Sequence, residues 1–183
     1  MVTEQMCVDS SLIVLTGPPG AGKSTVGRLL AARLGVDFAD TDVLVTQRAG
    51  KDIADIFVDD GEAAFRAVER EVVADALAHR RGVLALGGGA VLDPVSQVLL
   101  RDRCVVFLDV SLRYAGRRTG FDQGRPLLAL NPRGQWLALM EQRRPIYVDV
   151  ATARVDTDGK EPDEVVEAVV ALLSDELNSG GVR

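Results

Sequence analysis

The chain has 183 residues, of which 27 are acidic and 21 basic, for a formal charge of −6. That length favours one domain able to bury a sizeable core, and 47% apolar residues exclude a disordered or fibrous chain. The acidic total argues against a nucleic-acid partner, which needs a broad basic surface, yet the basic set holds 18 Arg and only 3 Lys.

In chain order, the first ten residues, MVTEQMCVDS, lack both a basic region and an apolar stretch, so they do not read as a signal peptide. No apolar run approaches the ~20 residues of a membrane span. A cytoplasmic, soluble protein is expected. LIVL at 12–15 reads as a buried parallel strand and 22–34 as a helix with Val26, Leu29, Leu30 and Leu34 on one face. DFADTD at 37–42 reads as a short strand ending in carboxylates, and 43–60 as helical pieces broken at Gly50. A long helix is predicted over 62–80, a strand over 83–86, and a further helix after Asp93–Pro94, a cap followed by proline at the first helical position.

CVVFLDV at 104–110 is another buried strand, followed by a helix over 111–119. Residues 120–132 carry two Gly and two Pro and read as a mobile loop. A helix over 133–144, a strand over 153–157 and a helix over 162–177 complete the pattern. Cys7 and Cys104 fit neither a disulfide scaffold nor a zinc site, and read as a terminal thiol and a buried strand thiol. Five strand–helix alternations mean an α/β fold with a mostly parallel sheet. One domain is expected over 1–183, with a core over about 11–175 and a frayed tail at 178–183.

The segment Gly17-Pro-Pro-Gly-Ala-Gly-Lys23-Ser24 matches G-x-x-x-x-G-K-[ST], set between a predicted strand and a predicted helix. Glycines let backbone N–H groups turn inward around phosphate oxygens, and the helix start adds its positive end. Lys23 would span the β- and γ-phosphates and Ser24 would ligate Mg²⁺. In parallel sheets ligands gather at the carboxyl ends of strands. Asp40 and Asp42 end the second strand and, two apart, would face the same side. One would serve Mg²⁺ through water and the other accept a hydroxyl proton; a helix cap plus a surface acid is the competing reading. Gly87–Gly89 follow the third strand, as a close backbone approach to a ligand or as a tight turn. Asp109 ends VVFLD as a Walker B aspartate would, but ranks behind Asp40 and Asp42.

Between 113 and 154 there are eight Arg against three acids, a segment of +5, whereas 155–183 carries −6. The basic segment includes the mobile loop, where Arg125 stands beside Pro126. A loop carrying an arginine that closes over a triphosphate excludes water and adds transition-state charge. Arg66, ahead of Glu69, and Arg143 each read alone as a solvated side chain or a surface ion pair.

GPPGAGKST at 17–25, ADTD at 39–42, IADIF at 53–57, GEAAFRAVE at 61–69, LGGGAV at 86–91, RRTG and GRPLL within 117–128, and RRPIYVDVA at 143–151 occur in one order. In that combination the sequence resembles the shikimate kinases, of the nucleoside-monophosphate-kinase-like group of P-loop proteins, over about residues 11–175. The resemblance implies a three-layer α/β/α P-loop fold, a five-stranded parallel sheet in the order 2-3-1-4-5, and a lid over about 120–132. It implies transfer of phosphate from ATP to shikimate, giving shikimate 3-phosphate and ADP, in chorismate and aromatic amino-acid biosynthesis.

By the same resemblance, Gly20, Ala21, Gly22, Lys23, Ser24 and Thr25 hold the ATP phosphates. Ser24 ligates Mg²⁺, and Asp40 belongs to the water shell of the metal. Asp42 contacts the shikimate hydroxyls and is the candidate base; with Lys23 and Arg125 it makes up the implied catalytic set. Arg66 and Arg143 grip the substrate carboxylate, helped by the backbone of Gly87, Gly88 and Gly89, while Phe57 and Phe65 line the ring. Arg118 packs on adenine with the loop 159–162, and hence Pro162, opposite it. A monomer using ATP, shikimate and Mg²⁺ is expected. The rival readings are a gluconate or nucleoside monophosphate kinase of the same fold, and a GTPase-like switch. The D-x-x-G match at Asp156–Gly159 arises readily by chance, and there is no N-K-x-D guanine signature.

Overall fold

A computed structural model describes residues 11–119 and 131–179 of the chain. Five short runs form strands: β1 (Leu12–Thr16), β2 (Phe38–Asp40), β3 (Gly82–Ala85), β4 (Cys104–Asp109) and β5 (Ala153–Asp156). All pair in parallel, in the order β2-β3-β1-β4-β5. Every residue of β3 and β4 is buried. A strand buried on both sides needs helices on both faces of the sheet, and its sequence reads as a continuous apolar run rather than an alternating one. The winding direction reverses at β1, whose neighbours are β3 and β4, so the carboxyl end of β1 is the natural place for a ligand.

Eight helices link the strands among the described residues: α1 (Lys23–Leu34), α2 (Thr41–Ala49), α3 (Ile53–Asp59), α4 (Gly61–His79), α5 (Pro94–Leu100), α6 (Leu112–Thr119), α7 (Pro132–Val150) and α8 (Pro162–Ser179). Helix α1 packs beside α8, α4 packs against α2, α3 and α5, and α7 lies against β4. Gly50, at φ 69°, ends α2 as expected of a glycine beyond a helix C-terminus. Asp93 caps α5 as predicted, accepting from the amides of Val95 at 2.9 Å and Ser96 at 3.2 Å.

Several expectations change. The strand expected over 37–42 stops at Asp40, because the Asp40 carboxylate accepts the Asp42 amide at 3.0 Å and so caps α2. Asp42 therefore lies in the first turn of a helix, not on a strand. The helix expected over 133–144 runs on to Val150 with Pro145 inside it. Pro145 leaves the Glu141 carbonyl without its helical donor, at a point where both residues are exposed. Beyond the proline, Tyr147 and Val150 are buried and hold the last turns down. Helix α8 extends through 178 and 179, where fraying was expected. Cys104 is buried on β4 as predicted, while Cys7 lies outside the described residues. The lid expected over about 120–132, with Arg125, lies outside the described residues up to 130, as does the tail from 180.

Candidate active site

The link from β1 to α1 is the phosphate-loop segment. Gly20 and Gly22 adopt φ of 85° and 88°, a region where side chains are strained. A Cβ on Gly20 would also stand 2.9 Å from the Cα of Ala115 in α6, so the loop is folded tightly against its neighbour. The Ala21 amide donates to the Pro18 carbonyl at 3.2 Å, and its side chain is buried. Lys23 arches back over the loop, donating from Nζ to the carbonyls of Gly17 at 2.8 Å and Pro18 at 3.1 Å. Burial lowers its pKa to about 8, against the raising effect of the nearby Asp42 and Asp40 carboxylates.

A cavity of about 370 Å³ opens beside this loop, lined by Gly20, Gly22, Lys23, Ser24, Thr25, Asp40, Asp42, Leu86 and Arg118. Of the residues expected at the nucleotide, only Ala21, Pro162 and Arg125 are missing from that lining; Arg125 lies outside the described residues. Pro162 instead starts α8. Arg118 spans the phosphate loop and the loop after β5, donating to the Gly20 carbonyl at 3.3 Å, the Thr157 hydroxyl at 3.0 Å and carbonyl at 2.8 Å, and the Lys160 carbonyl at 3.3 Å. The Ser24 hydroxyl donates to the Asp40 carboxylate at 2.5 Å, which brings two hard oxygen donors together at the cavity.

The glycine turn after β3 is the second half of the site. A Cβ on Gly88 would touch Pro19 of the phosphate loop at 3.4 Å. A Cβ on Gly87 would collide with the Asp42 carboxylate and meet Glu69 at 3.2 Å, and one on Gly89 would come 2.5 Å from an Arg66 guanidinium nitrogen. Arg143, from α7, donates to the Gly88 carbonyl at 3.3 Å. Side chains from three separate helices, Asp42 of α2, Arg66 and Glu69 of α4 and Arg143 of α7, thus meet at one backbone turn. The Thr41 hydroxyl accepts the Gly87 amide at 2.7 Å and ties the start of α2 to this turn.

Arg66 is not the surface residue its sequence context implies. It donates to the buried Glu69 carboxylate at 2.5 Å, one helical turn along α4, and its guanidinium lies 5.1 Å from the Phe65 ring centroid. Phe57 and Phe65 pair at 4.6 Å between centroids, with Phe57 facing outward and Phe65 buried behind it. Burial pushes the Glu69 carboxyl up, opposed by the hydrogen bond from Arg66. Asp42 opens onto the cavity, but its partial enclosure and the adjacent Asp40 raise its pKa, against Lys23 and Arg66.

Asp109 is excluded from this cluster. It is buried and ion-paired with Arg144 and, at 2.5 Å, with Arg154, so two arginines of the basic segment serve a carboxylate at the end of β4. A larger hollow of about 480 Å³ on the outside of α7, lined by Met140, Glu141, Arg144, Pro145, Val148 and Asp149, holds none of the expected site residues. Glu69, Thr41 and Tyr147 are the site neighbours that the sequence did not assign. Only Glu69 had a visible signal, its spacing of three from Arg66 on a helix.

A sequence model of the shikimate kinase family matches residues 19–174. This chain belongs to the shikimate kinase family. Among the family's members, the shikimate kinase of Streptomyces coelicolor is 55% identical over 163 residues, covering 89% of this chain and 95% of that relative. The shikimate kinase of Salinispora arenicola is 56% identical over 161 residues, covering 88% and 96%. The structure of a family member from Acinetobacter baumannii, a shikimate kinase in complex with shikimate, matches with a TM-score of 0.84 and 32% identity, over 98% of this chain and 99% of that one.

An anion bound at Lys23 favours the charged amine and lifts its pKa back towards the ordinary value. Between the free-enzyme pKa of about 8 and the ordinary 10.5, binding therefore takes up protons. Calorimetry of ADP binding in buffers of different ionisation enthalpy should show uptake near one proton at about pH 9 and much less at about pH 7. Equal proton exchange at both pH values would contradict the assignment.

Proposed function

We infer that this chain transfers the γ-phosphoryl group of ATP to the 3-hydroxyl of shikimate, giving shikimate 3-phosphate and ADP, a step of chorismate and aromatic amino-acid biosynthesis. The observation that carries the reading is the meeting of Arg66 and Arg143 on the glycine turn, beside Asp42 and against the phosphate loop. Two guanidinium groups suit a small carboxylate, which they bind through parallel hydrogen bonds. A second nucleotide would not need both. Family membership and the shikimate complex of the A. baumannii relative support the same substrate.

In this reading Gly20, Gly22, Lys23, Ser24 and Thr25 hold the phosphates, with the remaining loop backbone at Ala21. Arg118 packs on the adenine. Pro162, at the start of α8, follows the loop that Arg118 already holds at Thr157 and Lys160, and is assigned to the adenine by the family pattern alone. Arg125 is assigned to the triphosphate by the family pattern alone. Arg66 and Arg143 hold the carboxylate, the backbone of Gly87, Gly88 and Gly89 supplies further contacts, and Phe57 with Phe65 behind it lines the ring. Asp42 orients the reacting hydroxyl and accepts its proton. Its raised pKa makes it a better base than a freely solvated carboxylate. Phosphoryl transfer asks chiefly for positioning and neutralisation of charge, and the Lys23 ammonium supplies a cation next to the phosphates.

The residues present fit Mg²⁺. Ser24 and Asp40 form a pair of oxygen donors, and among the described residues no group of three His, Cys, Asp or Glu could build an all-protein cage. Mg²⁺ keeps several waters and shares substrate phosphates, so one hydroxyl and one carboxylate are the expected protein contribution. Ser24 would hold the ion directly and Asp40 through water. When bound, it neutralises charge on the β- and γ-phosphates.

No described helix is long and apolar enough to cross a membrane. We place the protein in the cytoplasm as a single-domain monomer, without a nucleic-acid partner. The net charge of −6 opposes binding to a polyanion.

ADP release measured with shikimate, gluconate and AMP as acceptors tests the function. ADP above the buffer rate with shikimate alone is the expected result; release with gluconate or AMP and none with shikimate overturns it. Asp42→Asn should lower turnover by about 10²-fold or more, the upper range for losing general-base action. It should also remove the acidic limb of the rate–pH profile, which in the parent enzyme lies above the ordinary carboxylate range. Unchanged turnover would remove Asp42 from the mechanism.

A further inference from the structure

Tyr147 lies one helical turn beyond Arg143 on α7, so the two side chains share a face. Its ring is fully buried and stacks on Phe107 of β4, with 5.3 Å between centroids and 21° between planes. Its hydroxyl donates to the Gly88 carbonyl at 2.6 Å, the oxygen that also accepts from Arg143 at 3.3 Å. A carbonyl has two lone pairs, so both donors are accommodated. Burial raises the tyrosine pKa, so the hydroxyl keeps its proton and remains a donor. Phenylalanine would fill this site equally well, so packing alone does not call for the oxygen.

The Gly88–Gly89 peptide is planar and trans, so the Gly88 carbonyl and the Gly89 N–H point in opposite directions. Fastening the oxygen to Tyr147 turns that N–H away from the tyrosine. The amides of Gly88 and Gly89 have no acceptor among the described residues. On the other flank, the buried Thr41 hydroxyl holds the Gly87 amide. Two buried hydroxyls thus clamp the Leu86–Gly87 and Gly88–Gly89 peptides, on either side of the Gly87–Gly88 peptide, and leave the Gly88 and Gly89 N–H groups without an acceptor among the described residues.

We propose that Tyr147 is a positioning residue for anion recognition: it fixes the Gly88–Gly89 peptide and the Arg143 guanidinium so that both offer donors to the substrate carboxylate. The inference rests on the shikimate reading above and adds a specificity-determining residue to it.

The test compares Tyr147→Phe and Phe107→Leu in the full-length enzyme with MgATP, using shikimate and shikimate methyl ester, whose carboxylate is masked. Tyr147→Phe should raise the shikimate KM about tenfold, the scale of one hydrogen bond acting at a charged group. Turnover and the ATP KM should stay within about twofold, and the preference for acid over ester should fall by about the same tenfold. Phe107→Leu removes ring packing and keeps the hydroxyl, so it should lower the Tm and leave that preference unchanged. A Tyr147→Phe enzyme with unaltered preference, or a Phe107→Leu enzyme that loses it equally, overturns the proposal while the function stands. A parent enzyme that does not phosphorylate shikimate overturns the function and the proposal together.

Discussion

The site depends on three adjacent positions that have no side chains. Gly87, Gly88 and Gly89 let the phosphate loop, α2, α4 and α7 close on a single backbone turn. Pro19 approaches from the phosphate loop, Asp42 and Glu69 from beside Gly87, and Arg66 from beside Gly89. The parallel sheet makes this convergence possible, because it delivers the ends of β1, β2 and β3 to one edge. Backbone contact makes it tight. Side chains at these positions would separate the phosphate loop from the proposed carboxylate grip by about the width of a methyl group, and in-line transfer tolerates displacements of only about 1 Å.

Charge is arranged around that turn so that each ion opposes the burial of another. Lys23 loses affinity for its proton on burial and recovers part of it from Asp40 and Asp42. Glu69 is disfavoured as an anion by burial, Arg66 opposes that shift, and the ion pair in turn keeps Arg66 pointed at the turn. Breaking one member of a buried pair leaves the other uncompensated, a larger loss than the pair's net contribution. In the proposed reading, substrate phosphates and a carboxylate would complete the balance at Lys23, Arg66 and Arg143.

Much of this was legible in the residues. The phosphate loop is a contiguous motif whose glycines and lysine sit where strand and helix periodicity demand. The strand and helix alternation followed from continuous apolar runs and helical spacing. The strand order came from the family resemblance, since five parallel strands could be arranged in several ways. Asp40 and Asp42 face one cavity because Asp40 caps α2, not because two residues of a strand share a side, so strand spacing points to the right pair through the wrong local geometry. The helix expected over 133–144 continues past Pro145 because Tyr147 and Val150 are secured in the core. The arginines were least legible. Charge counts showed a basic segment, but only tertiary contacts reveal that Arg144 and Arg154 serve Asp109 while Arg143, next in sequence, serves Gly88. Tyr147 left no signal at all, because a buried aromatic residue on a helix reads as core.

The most direct measurement is the binding of shikimate and of ADP, each by calorimetry, to Gly89→Ala. The backbone at Gly89, with φ −97°, accepts alanine, so the variant should fold; its new methyl group must displace the Arg66 guanidinium, 2.5 Å away. Shikimate affinity should fall by about tenfold or more, the scale of a lost hydrogen bond to a charged group, while ADP affinity is retained. Unchanged shikimate affinity, or an equal loss for both ligands, would contradict the account of a bare backbone turn on which the carboxylate grip is built.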